Sequence, residues 1–406
     1  MARKKEKNDV VVVAGVRTPT GVFGGTLKNL LAVDLAVDVI KELIVRSNLV
    51  GKENVVDDVV FGEIYNRNKE EVSNIARIAL LRAGMPIEVT GMTLQRACAS
   101  GLQAIITGAQ EIIAGQCKVV IAGGAESMTN APYESYTTRW GSKFKDVTLF
   151  DGMYSPILSC PPTGTGMGIT AENLCVKFNI TREQCDEFAA SSHQRAAAAN
   201  ESGKFKEEML PIKIKDHKGN EKVFDFDECI RKDTTAERLS KLSPIFKPVG
   251  GVVTAGNSCP LNDGASAVVL MSREAADQHG LQPIARVVNY AVVGLDPDIM
   301  GYGPVPATRK ALQRAGLTLS DCGLFEVNEA FASVALTFIK ELGISRDTVN
   351  VNGGAIALGH AVGSSGARIS ITLIHEMMKS GVRYGVSSVC QGVGMGTAVI
   401  FENERI

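Results

Sequence analysis

The sequence has no excess of charge of one sign and no paired cysteine motif, and each absence excludes a class of protein. Its 43 basic and 44 acidic residues leave a net charge of −1, so binding to nucleic acid or to an anionic membrane is not predicted. The nine cysteines are scattered, without a C-x-x-C pair. They therefore indicate neither a zinc site nor a disulfide framework. Unpaired cysteines are typical of a reducing compartment, and we expect a cytoplasmic protein.

Long hydrophobic runs are missing as well. The apolar run from Val10 to Val16 is far shorter than the roughly 20 residues that a membrane-spanning helix needs. No cleavage site follows it, and the chain closes with E-N-E-R-I, which is neither a lipidation nor a peroxisomal signal. We therefore expect no membrane association.

Strand and helix patterns alternate in two parts of the chain and predict an α/β fold. The segment between them is looser, rich in proline, and contains a helix that begins with a capping box of Thr181 and Gln184. We predict a first core half over residues 1–125, an inserted helical loop domain on the substrate side over 126–249, and a second core half with the C-terminal catalytic region over 250–406. Long excursions from an α/β core usually carry a substrate site.

The second half of the chain echoes the first. Ser100-Gly101 opens a helical pattern that ends at Gly115 and leads into an apolar strand. Ser365-Gly366 opens a pattern of nearly equal length that ends at Gly381 and leads into another strand. A duplicated core explains this match together with the resumed alternation.

Cys98 lies in the run A-C-A-S-G-L-Q-A, just before the first of these helices. Unpaired N–H groups and the positive dipole end of a helix favour thiolate over thiol. The sequence thus predicts a nucleophile, although a buried structural cysteine has the same appearance.

Three further residues are candidates for chemistry. His360 lies in a glycine-rich turn before a helix and is the best candidate for a base beside a cysteine nucleophile, although it could equally be a satisfied structural histidine. Cys390 ends a strand beside several glycines, and the duplicated core would bring it towards Cys98. Asn328 joins a strand to a helix, where it serves either to orient a water or carbonyl or as a helix cap.

Several motifs in consistent order resemble the thiolase family, from about Val10 to Phe401. They are R-T-P-T-G-V-F-G-G-T-L at 17–27, C-A-S-G-L-Q-A at 98–104, A-G-G-A-E-S-M-T at 122–129, T-A-G-N at 254–257 with N-D-G-A at 262–265, D-P-D-I-M-G-Y-G-P-V-P-A at 296–307, N-E-A-F-A at 328–332 and G-G-A-I-A-L-G-H at 353–360. The resemblance implies a five-layer α-β-α-β-α core and a two-step acyl transfer through coenzyme A.

By this resemblance, Cys98 would carry the acyl group and His360 would activate it. Cys390 would act as the acid and base at the α-carbon of the acetyl-CoA unit, because the proton acceptor must differ from the acyl carrier. One oxyanion hole would consist of the N–H groups of Cys98 and Gly392. The other would consist of His360 and a water held by Asn328.

The resemblance also places residues on the CoA and acyl side of the site. These are Arg231, Cys259, Met167, Met300, Ala330 and Phe331. It implies acyl-CoA and CoA as substrates, no metal and no permanently bound cofactor, and a homodimer or homotetramer.

The sequence departs from the family pattern in several places, mostly on the acyl side. Gly166 stands where many biosynthetic members have histidine, Cys259 replaces a serine beside the pantetheine arm, Ala361 replaces proline, and Val393 replaces glycine. The segment before Met167 is about five residues longer. We therefore expect a 3-oxoacyl-CoA thiolase for a bulky, branched or aromatic acyl group.

Three alternatives remain open at this stage. The first is an acetyl-CoA C-acetyltransferase that makes acetoacetyl-CoA. The second is a CoA-binding, thiolase-like subunit that holds a partner protein. The third is a thiol protein switched by a Cys98–Cys390 disulfide.

Overall fold

A computed structural model describes residues 5–65, 73–144, 146–154, 158–215 and 218–406. The strands are β1 (Val10–Arg17), β2 (Gly21–Val22), β3 (Asp58–Gly62), β4 (Thr90–Leu94), β5 (Val119–Ser127), β6 (Tyr133–Glu134), β7 (Phe150–Asp151), β8 (Ser159–Cys160), β9 (Thr165–Gly166), β10 (Ile212–Lys215), β11 (Glu221–Phe224), β12 (Asn262–Ser272), β13 (Ala285–Gly294), β14 (Cys322–Val327), β15 (Tyr384–Gln391) and β16 (Met395–Asn403).

The α-helices are α1 (Ala32–Arg46), α2 (Ile75–Arg82), α3 (Ser100–Ile113), α4 (Met167–Phe178), α5 (Arg182–Glu201), α6 (Ala236–Ser240), α7 (Arg273–Gln278), α8 (Pro304–Ala315), α9 (Ala332–Leu342), α10 (Ala355–Leu358) and α11 (Ser365–Ser380). Short 3₁₀ turns connect several of them. None of the helices in the described ranges is long and apolar enough to cross a membrane.

The main sheet has the order β14-β15-β16-β13-β1-β12-β5-β3-β4, with β2 paired to β12. Its two halves repeat one pattern of pairing outward from the β1–β13 contact. Each half begins with two antiparallel pairs, β1–β12–β5 on one side and β13–β16–β15 on the other. A parallel pair follows in each, β5–β3 and β15–β14. The repeated pattern confirms the duplicated core.

Three hydrophobic clusters divide this core into layers. One covers the outer face of the first half with α1 and α2, and another covers the outer face of the second half with α4, α5, α8 and α9. The third contains α3 and α11 together with strands of both halves. The order of layers is therefore helix, strand, helix, strand, helix, which confirms the predicted five-layer α/β architecture. Because α3 and α11 share the middle layer, the segments before them converge.

The close packing of these two helix starts requires glycine. A Cβ at Gly101 would lie 2.8 Å from the carbonyl oxygen of Gly363 and 3.0 Å from that of Ser364. Such distances are too short for carbon against backbone, so any larger residue at position 101 would force the helices apart. The turn after His360 thus rests directly on the first turn of the Cys98 helix.

The inserted segment is anchored to the core by buried charges. Arg17, at the end of β1, is fully buried. It binds Glu208 at 2.6 Å and Asp227 at 2.8 Å. α5 begins with the predicted capping box of Thr181 and Gln184.

The division of the chain into domains at residues 125 and 249 stays a prediction. Part of the longer segment before Met167, residues 155–157, lies outside the described residues.

The central strand β13 was not predicted, and neither was the two-residue strand β2. β13 lies at the centre of the sheet, between β1 and β16. It contains Asn289 and Tyr290, and its register with β16 shifts between Val287 and Asn289. The shift interrupts the alternation of inward and outward side chains, which is the signal that identifies a strand in sequence.

Candidate active site

Cys98 lies in a tight turn between β4 and α3. The preceding residue, Ala97, has a φ of 45°, which is rare for residues other than glycine. Ser100 stabilises this turn, because its Oγ accepts from the Arg96 N–H at 2.9 Å and donates to the Ala97 carbonyl at 2.6 Å. The predicted position of Cys98 just before the helix is correct.

The helix start favours a thiolate at Cys98, but burial opposes it. Burial raises the pKa of the thiol to about 11, the N–H of Gly392 lowers it, and the charge of Glu126 raises it further. The residue keeps some accessible surface, but the cost of removing a negative charge from water outweighs the helix N-terminus. Cys98 therefore rests as a neutral thiol with the Gly392 N–H directed at its sulfur.

This raised pKa predicts how Cys98 reacts with an alkylating reagent. In the absence of substrate, its rate with iodoacetamide should rise about tenfold per pH unit from pH 8 to pH 10, because only the thiolate reacts. Mass mapping with fragmentation of the Cys98 peptide, which distinguishes Cys98 from Cys117, follows this cysteine separately from the other eight. A rate that levels off below pH 9 would contradict the raised pKa.

His360 is held at both ring nitrogens and at its backbone. Nδ1 lies 2.6 Å from the Ser365 hydroxyl, and that hydroxyl donates to the Ala361 carbonyl at 2.8 Å. The serine oxygen must therefore accept from Nδ1–H, which assigns the proton to Nδ1 and leaves Nε2 able to accept. The Asn328 amide nitrogen lies 3.3 Å from Nε2, and the His360 N–H donates to the Asn262 side chain at 2.7 Å.

The imidazole of His360 is neutral at physiological pH. Burial lowers its pKa to about 3, and the positive charge of Arg368 contributes in the same direction. A neutral ring whose Nε2 carries no proton can take one from a neutral thiol, whereas an imidazolium could not. The site thus combines a protonated nucleophile with an unprotonated base.

Cys390 and Cys259 lie close enough to Cys98 for the three thiols to influence one another's pKa. Burial raises the pKa of the Cys390 thiol, and the neighbouring Cys98 and Cys259 raise it further, because adjacent thiolates would repel one another. Burial likewise raises the pKa of Cys259, with Cys98 as the next cause. Two residues after Cys390, a Cβ at Gly392 would lie 3.5 Å from the Met167 sulfur. Because the Gly392 N–H is directed at the Cys98 sulfur, the segments that carry the two thiols meet.

The residues predicted on the acyl and CoA side divide into two groups. Met167, Met300, Ala330 and Phe331 belong to one buried cluster that also contains Cys390. The Cys259 N–H donates to the Ala330 carbonyl at 3.1 Å, which places this cysteine at the edge of the cluster.

Arg231 is not part of that cluster. Its side chain is exposed, and its backbone N–H donates to His193 Nδ1 at 3.2 Å.

Four residues that support the site were not predicted as functional. Ser365 and Asn262 contact His360, the Glu126 carboxylate accepts from the Ile64 and Gly363 N–H groups, each at 3.0 Å, and Glu329 follows Asn328 directly. Ser365 could have been found from the sequence, because it lies only five residues after His360, on the first turn of α11. The others depend on contacts between distant segments.

Residues 10–274 match the family model for the thiolase N-terminal domain, and residues 281–403 match that for the thiolase C-terminal domain. An acetyl-CoA acetyltransferase from Chromobacterium violaceum is 46% identical over 394 residues, which cover 97% of this chain and 99% of the relative. The mitochondrial 3-ketoacyl-CoA thiolase of Mus musculus is 44% identical over 402 residues, which cover 97% and 98%. The crystal structure of human mitochondrial 3-ketoacyl-CoA thiolase in complex with CoA superimposes with a TM-score of 0.93 at 43% identity, covering 98% of each chain.

Proposed function

Because the chain belongs to the thiolase family, we infer that it cleaves 3-oxoacyl-CoA with coenzyme A, or condenses acyl-CoA in the reverse direction, at the site around Cys98. The observation that carries this assignment is the Gly392 N–H directed at the Cys98 sulfur, since it joins the segment of Cys390 in the second core half to the nucleophile in the first. The turn after His360 packs on the same helix start. Acyl transfer with C–C bond cleavage needs each of these groups.

We propose that cleavage begins with transfer of the Cys98 proton to His360 Nε2. The sulfur then attacks the 3-carbonyl carbon, and the N–H groups of Cys98 and Gly392 stabilise the developing oxyanion. Collapse of this adduct breaks the bond between the α-carbon and the 3-carbon. The hole that His360 and a water held by Asn328 would form stabilises the enolate oxygen of the departing acetyl-CoA unit. Cys390 protonates the departing α-carbon, so that acetyl-CoA leaves and Cys98 retains the acyl group.

The second half-reaction transfers the acyl group to coenzyme A. Cys390, now a thiolate, takes the proton of the incoming CoA thiol, and the CoA sulfur attacks the acyl carbon on Cys98. The N–H groups of Cys98 and Gly392 stabilise the resulting oxyanion. Release of the shortened acyl-CoA returns the proton from His360 to Cys98. The raised thiol pKa values support this cycle, because both cysteines begin protonated.

We propose a bulky, branched or aromatic acyl group. Gly166, at the cap of α4, carries no side chain in the position where many biosynthetic thiolases have histidine. Phe331 and Phe246 meet edge to face at 6.4 Å between ring centres, beside the cluster that contains Met167. An acetyl-CoA C-acetyltransferase is the second candidate, and the 46% identity to the Chromobacterium violaceum enzyme favours it.

A thiolysis panel distinguishes these substrates. Purified protein is supplied with CoA and with 3-oxoacyl-CoAs from acetoacetyl to branched and aryl forms, and loss of each 3-oxoacyl-CoA is measured. We expect kcat/KM for the branched or aryl substrates to exceed that for acetoacetyl-CoA by at least about tenfold, since one or two methylene groups in a pocket contribute that much. Turnover of acetoacetyl-CoA far above the others would establish the second candidate, and no turnover of any substrate would contradict the enzyme assignment.

We propose a cytoplasmic homo-oligomer, a dimer or tetramer. The nine cysteines are unbonded, as a reducing compartment favours. Exposed aromatic side chains over residues 133–150, including Trp140 and Phe144, supply the apolar surface that self-association would cover. A CoA-binding subunit that mainly holds a partner remains the alternative of a different class, and the complete catalytic set argues against it.

A further inference from the structure

The carboxylate next to Asn328 lies at the centre of a buried polar network. Glu329 is fully buried, and its Oε2 accepts from the Ser192 hydroxyl at 2.7 Å and from the Ile356 N–H at 3.2 Å. Its Oε1 accepts from the Asn350 side-chain amide at 2.8 Å. Three segments distant in sequence therefore meet at one side chain: α5 of the inserted region, the loop after β14, and the loop that leads to His360.

The loop before His360 is shaped around this carboxylate. A Cβ at Gly354 would overlap the Glu329 carboxylate group, and the Gly354 N–H donates to the Ser192 hydroxyl at 3.0 Å. The carboxylate thus occupies the space in front of α10, the single turn that ends two residues before His360. The hydrogen bond from the Ile356 N–H to the carboxylate fixes the position of that turn relative to Glu329.

The other side of the network holds the end of β14. Asn350 accepts from the Val327 N–H and donates to the Val327 carbonyl, each at 2.9 Å. The same amide donates to Glu329. Val327 and Glu329 are the two neighbours of Asn328, so the backbone on both sides of Asn328 is fixed through one carboxylate–amide pair.

We propose that Glu329 is a positioning residue for the reaction, which sets the distance between Asn328 and His360. It holds the backbone of Asn328 from one side and the turn before His360 from the other. The 3.3 Å contact between the Asn328 amide and His360 Nε2 depends on both. The inference rests on the proposed function, in which these two groups form one oxyanion hole.

Glutamine cannot replace Glu329 in this network. The carboxylate accepts three hydrogen bonds and donates none, whereas a glutamine amide offers one acceptor oxygen and one donor group. In either orientation the NH₂ group faces a donor, either the Asn350 amide or the Ile356 N–H. The shape of the side chain is kept while one contact becomes repulsive.

Kinetics of Glu329→Gln, Asn328→Ala and the double variant test the proposal. We expect Glu329→Gln to lower kcat roughly 10- to 100-fold with KM changed less than about threefold, because the oxyanion hole acts in the transition state and not in ground-state binding. The loss in the double variant should be at least about fivefold smaller than the product of the two single losses, since both changes damage one unit. Glu187→Gln, at an exposed site on α5, is the matched control and should retain full activity.

The other possible kinetic outcomes contradict either the positioning role of Glu329 or the oxyanion hole itself. Multiplicative losses, an unchanged kcat in Glu329→Gln, or a rise in KM alone would overturn the positioning role while leaving the proposed function intact. An unchanged kcat in Asn328→Ala would overturn the proposed oxyanion hole and the positioning role with it. If Glu329→Gln does not fold, Ser192→Ala is used in its place, because it removes one of the three donors to the Glu329 carboxylate. A several-fold loss of kcat that becomes smaller in the Asn328→Ala background supports the proposal. An unchanged kcat, or a loss that multiplies with that of Asn328→Ala, overturns it.

Discussion

Replacement of Cys98 by alanine should lower the rate of thiolysis by at least about 10⁴-fold, because removal of a catalytic nucleophile leaves only binding and oxyanion stabilisation. Cys98 is the thiol towards which the Gly392 N–H is directed. Its turn is followed at once by α3, whose first residues pack on the turn after His360. Burial raises the pKa of the Cys259 thiol, and Cys390 is assigned to proton transfer at the α-carbon. We therefore expect no second thiol to take over the acyl group.

The rate is measured as loss of 3-oxoacyl-CoA under saturating CoA, with Cys117→Ala as the matched control. Cys117 follows α3 and interacts with Glu111 and not with the catalytic groups, so its replacement should leave the rate unchanged. Circular dichroism of both variants confirms that the fold is retained. A loss smaller than about tenfold in Cys98→Ala would show that another residue carries the acyl group.

Replacement of Cys390 by alanine should lower turnover by on the order of 10³-fold while acylation by acetyl-CoA persists. Cleavage of a C–C bond requires an acid at the departing α-carbon, whereas a CoA thiolate leaves readily without one. The two half-reactions therefore separate in this variant. The full cycle is measured by thiolysis, and acylation is measured as CoA released in a single turnover.

Cys390 is fully buried, so its replacement by alanine also creates a small cavity. Cys390→Ser keeps the volume and removes most of the acidity, and it should show the same separation of half-reactions. Equal loss of acylation and turnover in both variants would mean that Cys390 also activates Cys98. That result would contradict the division of roles between the two thiols.

Sequence alone predicted the duplicated core and the place of Cys98, because both depend on local signals. The Ser100 and Ser365 helix starts, the glycines that end each helix and the apolar strands that follow are short-range patterns. Because these patterns occur once in each half of the chain, they predicted that Cys98 and Cys390 face one another before any contact between them was known. The family motifs then supplied the roles.

The protonation state and the supporting network could not be predicted in this way. Helix position favours a thiolate at Cys98, but burial in the assembled fold raises its pKa, and burial is a property of the whole molecule. Glu329 is separated from Ser192 by 137 residues, and the Asn262 contact to His360 spans 98. No local pattern indicates such contacts. In sequence, Glu329 is one more carboxylate beside a helix start.

Mass spectrometry of the acylated protein tests the division of roles most directly. Wild-type protein and Cys390→Ala are each incubated with acetyl-CoA, quenched in acid and digested, and the acetylated peptide is identified. We expect a single acetyl group, carried by Cys98, in both proteins, with none on the Cys259 or Cys390 peptides. Acetylation of either of those cysteines, or no acetylation of Cys390→Ala, would contradict it.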